Sequence, residues 1–68
     1  MMRLTINGQM MSLEPSPQTV ADVILRLDLS VKTVVVERNQ TILTREMHVH
    51  TPVHEGDILE IVHFVGGG

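Results

Sequence analysis

Thr19-Val20-Ala21-Asp22-Val23-Ile24-Leu25-Arg26-Leu27 decides the fold, because it carries a helical repeat in a chain otherwise patterned for strands. Val20, Val23, Ile24 and Leu27 fall at i, i+3, i+4 and i+7, which gathers them on one stripe of an amphipathic helix. Thr19 followed three positions later by Asp22 has the form of a capping box with Asp in place of Glu. The spacing predicts a helix of roughly three turns, and its apolar stripe needs a sheet to cover.

The sheet is legible on both sides of this helix. Upstream, Leu4 and Ile6 alternate with Arg3 and Thr5, and Asn7-Gly8 is a two-residue hairpin signal because both residues tolerate positive φ. A second strand should carry Met11 and Leu13 inward, stopped by Pro15-Ser16-Pro17, where the ladder donors run out. Downstream, Thr33-Val34-Val35-Val36 reads as a third strand buried on both faces or nearly so. It turns at Arg38-Asn39-Gln40 into a short edge strand, Thr41-Ile42-Leu43. After an irregular stretch over 44–54, Glu55-Gly56-Asp57 should launch a last strand over 58–65. The order ββαβ(β)β with one helix predicts an α+β fold, a mixed four- to five-stranded sheet with the helix across one face, which is the β-grasp arrangement.

Parity in the last strand separates two faces. With Leu59 and Ile61 in the core, Glu60, Val62 and Phe64 point away from it, an assignment that spares the Glu60 carboxylate an unpaired burial. Residues 1–65 are expected to be the body, and Gly66-Gly67-Gly68 a flexible tail. Without Cβ atoms such a tail can thread a narrow channel and leave its terminal carboxylate open to attack from either side. A carboxylate is a poor acyl donor, so activation by a partner is implied, with adenylation by ATP the obvious route.

Composition narrows the function classes. The 68 residues allow one small domain without room for a large enclosed active site. Phe64 is the single aromatic residue, so the core must be aliphatic. No cysteine is present, which removes disulfides, thiolate metal sites and thiol nucleophiles. Eight acidic against five basic residues give a net charge of −3, the wrong sign for gathering nucleic acid. No segment has the length of a membrane span, and a soluble cytoplasmic protein is expected. His48, His50 and His54 invite a metal reading, but only Glu46 and Glu55 stand near them, and exposed or partly buried loop histidines are the simpler expectation. Ser12, Ser16 and Ser30 lie in no triad or nucleophile-elbow signature, and no glycine-rich loop joins a strand to a helix to hold phosphate.

With these pieces placed, the chain resembles the ThiS family of thiamine-pathway sulfur carriers, which have a ubiquitin-like β-grasp fold. The likeness rests on Ile6-Asn7-Gly8, Thr19-Val20, Val36-Glu37-Arg38-Asn39, Ile42 through Arg45, Gly56-Asp57 and Glu60-Ile61-Val62. The run Phe64-Val65-Gly66-Gly67-Gly68 is its most specific part. Many members have proline before the arginine corresponding to Arg45, where this chain has Thr44. The resemblance implies that Gly68 is adenylated by an E1-like ThiF enzyme and becomes a thiocarboxylate whose sulfur is used by a ThiG-like thiazole synthase. Gly66 and Gly67 would then thread, and Glu60, Val62 and Phe64 would dock the partner. No cofactor would be bound by the chain itself; ATP and a sulfur donor belong to the partner enzymes. It also implies a carrier and not an enzyme, without nucleic-acid or membrane partners. The same fold leaves open a carrier for molybdopterin synthesis or tRNA thiolation, a ubiquitin-like tag, or a passive interaction module. The single lysine, Lys32, suits chain-building tags poorly.

Overall fold

The computed structural model describes residues 1–29 and 33–63. Among the described residues, five strands and one α-helix follow in the expected order: β1 Met2–Ile6, β2 Gln9–Leu13, α1 Val20–Arg26, β3 Val34–Arg38, β4 Thr41–Leu43 and β5 Ile58–His63, with a 3-10 turn at Arg45–Met47. The strands form a single sheet in the spatial order β2-β1-β5-β3-β4. β1 and β5 are parallel and the other neighbours antiparallel. The last strand in sequence is therefore the middle strand in space.

Both hairpins turn on residues with positive φ. Asn7 and Gly8 take φ of 52° and 82°, and Asn39 and Gln40 take 48° and 74°. The first pair is the Asn-Gly sequence that such a turn favours; at the second, Gln40 accepts a conformation uncommon for its type. Met11 and Leu13 are partly buried against the core, as expected for the inward face of β2.

α1 begins with the anticipated capping box: Thr19 Oγ1 accepts from Asp22 N, and Asp22 Oδ2 accepts from Thr19 N and from Gln18 N. The helix is seven residues long, shorter than the three turns its periodicity suggested. Asp28 is the reason. It enters the left-handed region at φ 60°, its N–H donates to Leu25 O, and Leu29 N donates to Ile24 O. This is a Schellman-type ending with aspartate where glycine is usual. Val20, Val23 and Ile24 are fully buried against Leu4, Val36 and Leu59 of the sheet's inner face, within one aliphatic cluster.

β3 corrects a second expectation. Val34 and Val36 are buried but Val35 is 39% exposed, so the strand is covered on one face only. The single helix covers the inner face and no described element covers the outer one. A run of β-branched residues marks a strand well, but by itself it does not tell one covered face from two.

The stretch over 44–54 is better ordered than an irregular loop. Its carbonyls receive the first free N–H groups of α1: Val20 N donates to Thr51 O, and Ala21 N to His48 O. An isolated bridge joins Thr19 to Pro52. Docking of this segment buries His48 completely, while His50 and His54 remain exposed. The three histidines thus present no common surface, and His48 is a core residue instead of an exposed or partly buried one. Neither His48 ring nitrogen has a hydrogen-bond partner among the described residues.

Burial lowers the His48 pKa, opposed by the Glu46 carboxylate. Below the imidazole value of about 6.5, the unfolded chain takes up a proton that the folded chain refuses. The His48 contribution is complete above that value and is lost as pH falls toward the lowered folded pKa. Urea midpoints measured across this range should decline on acidification, and His48→Leu should flatten the decline. An unchanged slope in His48→Leu would mean that another group carries it.

Candidate functional site

The functional residues expected from sequence cluster on and beyond β5, so the site is defined by how that strand is held. On one side β3 pairs with it from Val34↔His63 to Arg38↔Leu59. On the other side β1 supplies only Thr5↔Ile58 and Ile6↔Leu59 before the chain turns away. Asn7 bridges the deficit. Its backbone N–H donates to Leu59 O at 2.9 Å, and its side-chain amide both accepts from Ile61 N at 2.7 Å and donates to Ile61 O at 3.0 Å. The amide group thereby acts as one more peptide of β1. Sequence reading assigned Asn7 to the turn alone, because nothing local shows that a side chain will pair with a strand 54 positions away.

The start of β5 is fixed by a second polar knot. Asp57 is buried and accepts from Arg38 Nε at 3.0 Å, Asn39 Nδ2 at 3.2 Å and its neighbour His54 N at 2.8 Å. Burial alone would raise the Asp57 pKa; the bonds from His54, Asn39 and Arg38 outweigh it and hold the carboxyl below its ordinary value. Asn39 also accepts from Ile58 N through Oδ1 and donates its own N–H to Ile58 O. The β3–β4 turn and the first residue of β5 are thus one unit.

The strand held in this way has the expected parity. Leu59 and Ile61 are buried, Glu60 is exposed and Val62 is 53% exposed. Phe64, Gly66, Gly67 and Gly68 lie outside the described residues. The outer face also includes residues that β5 alone did not reveal. Val35 stands opposite Val62, and Glu37 opposite Glu60. Ile42, opposite Glu37 on β4, is 68% exposed, and Ile58 is 52% exposed. A concavity of about 430 Å³ opens here, lined by Glu37, Asn39, Gln40, Ile58 and Glu60. The register was the missing signal: Glu37 becomes part of this face only when β3 is known to run beside β5.

No group of three or more possible metal ligands occurs among the described residues, and no described helix is long and apolar enough to cross a membrane.

Comparison with known proteins adds the family. The family model for ThiS matches residues 4–68. The chain belongs to the ThiS family. A curated relative, the sulfur carrier protein ThiS of Bacillus subtilis, is 37% identical over 65 residues, spanning 96% of this chain and 98% of that one. The crystal structure of a ThiS thiamine biosynthesis protein from Geobacter metallireducens has a TM-score of 0.82 at 33% identity, covering 98% of this chain and 100% of the other. The ubiquitin-like β-grasp fold expected from the sequence is therefore the fold of this ThiS-family chain. A thiazole synthase from Paramagnetospirillum magneticum is 39% identical over 67 residues, which span 98% of this chain but 20% of that protein.

The Asn7 clamp is testable without disturbing the turn, because Asn7→Gly keeps the positive φ accessible. Loss of the amide should cost about 1–3 kcal/mol by leaving the Ile61 peptide groups unsatisfied. Hydrogen exchange should quicken at the Ile61 amide more than at Leu4 or Val36. Unchanged protection at Ile61 would show that the clamp does not hold the strand.

Proposed function

We propose that the chain is a sulfur carrier in thiamine biosynthesis, acting through the carboxylate of Gly68. The observation that carries this reading is a ThiS-family match that runs through Gly68, on a body whose central strand leads toward that residue. In the proposed reaction a carboxylate oxygen of Gly68 attacks the α-phosphorus of ATP on a ThiF-like enzyme, and pyrophosphate leaves. A sulfide-level donor then adds at the carbonyl carbon, and AMP departs with the original oxygen. The product is a thiocarboxylate. Gly66 and Gly67 supply the narrow segment that enters the partner, and the body is the handle by which the partner recognises it.

For the acceptor, proteins named thiazole synthase that contain a stretch similar to nearly this whole chain favour a ThiG-like enzyme. Activities joined in one polypeptide commonly serve one product, and this separates the thiamine reading from molybdopterin synthesis and tRNA thiolation. The chain itself is a co-substrate, with ATP and the sulfur donor handled by its partners. Glu60, Val62 and Phe64 form the docking surface.

Intact mass measured after incubation with a ThiF-like enzyme, ATP and a sulfur source should rise by the difference between sulfur and oxygen. Deletion of Gly68 should abolish the change while leaving the fold intact. Modification of the truncated chain would place the acyl site elsewhere. Phe64→Ala should weaken binding to the activating enzyme by about 1–3 kcal/mol, in the range of a central interface anchor, with a smaller effect on folding. Equal losses in both would identify Phe64 as a core residue.

A further inference from the structure

The outer face of the sheet has a charge arrangement that no ion pair among the described residues resolves. Glu37 and Glu60 are directly opposed on β3 and β5, a position where side chains of adjacent strands lie about 5 Å apart and like charges repel. The two ion pairs among the described residues commit Arg3 to Glu55 and Arg38 to Asp57, and neither reaches this pair. Both glutamates line the same concavity, beside the Gln40 amide and the Ile58 side chain. Val35, Val62 and Ile42 extend the exposed apolar surface around it.

We propose that the Glu37–Glu60 pair receives an arginine side chain from the ThiF-like activating enzyme, docked on this face. This rests on the docking role given to Glu60 and Val62 above, and it names the chemistry of the partner. A guanidinium presents several N–H donors in one plane and can serve two carboxylates at once, whereas an ammonium is a point charge. The aliphatic side chains around the recess exclude water when the partner is seated, which strengthens the pairing. A second copy of this chain fits poorly, since stacking two such faces would bring four carboxylates together on chains that each carry a net charge of −3. Repulsion in the free chain and attraction in the complex give the site a signature that a purely structural pair would lack.

The test measures affinity for the ThiF-like enzyme at low and high salt, together with the unfolding midpoint, for Glu37→Gln/Glu60→Gln and for Val62→Asp. The double Gln variant should bind about tenfold or more weakly, lose much of the salt dependence, and unfold at the same or higher denaturant concentration. Glu37→Lys should weaken binding further. Normal affinity of the double Gln variant beside a clear loss in Val62→Asp would overturn the arginine inference while leaving the docking face in place. Normal affinity in both variants would overturn the docking reading as well. A face-to-face homodimer of the wild-type chain in solution would replace the partner arginine with a second copy.

Discussion

A side-chain amide standing in for a strand residue is the interaction on which this architecture turns. β5 must lie between β1 and β3, yet β1 leaves the sheet at Asn7 to make its hairpin, before it has paired the length of β5. Ile61 would then have an N–H and a C=O aimed at nothing, in the strand whose side chains close the core. Asn7 meets both with one group. The same residue supplies the left-handed conformation of the turn, so the hairpin and the centre of the sheet are specified together. Serine or glycine there could make a turn but could not reproduce the two-bond peptide geometry.

The Asp57 knot completes the constraint from the opposite end of β5. Arg38 and Asn39 come from the β3–β4 turn, and His54 from the segment that also docks on the helix. A single buried carboxylate thus links the β3–β4 hairpin to the long connection. The bonds it accepts hold its pKa down despite burial, so the knot strengthens above the ordinary carboxylate range and loosens in acid. Held from both ends, β5 is a fixed strand, which suits the docking role proposed for its outer face.

Much of this was legible in the sequence where the cause is local. Asn-Gly, the Thr19–Asp22 capping box and the alternation of Leu59 and Ile61 with Glu60 and Val62 each act over a few residues, and each appears as read. What escaped depends on distant neighbours. Val35 looked like core because β-branched residues mark a strand, while the number of covered faces is decided by a helix count across the whole fold. His48 read as an exposed or partly buried loop histidine, but the helix start takes a carbonyl from its loop and the docked loop buries it. The helix ended early because Asp28 adopts a backbone conformation that composition only permits. Glu37 joined the candidate site through strand register. The tail, the segment with the clearest chemical reading, was read from residue type and from family resemblance, with no contribution from packing.

The loop carbonyls that cap α1 also close one place where an anion could sit on this chain. The start of a helix often serves as an anion seat because its N–H groups are unpaired. Here the Thr51 and His48 carbonyls and the Thr19 hydroxyl occupy the donors of Val20, Ala21 and Asp22. With those donors closed off, this end of the helix offers a nucleotide no foothold. In the proposed reaction the triphosphate pocket belongs to the activating enzyme, and this chain contributes the acyl group of Gly68.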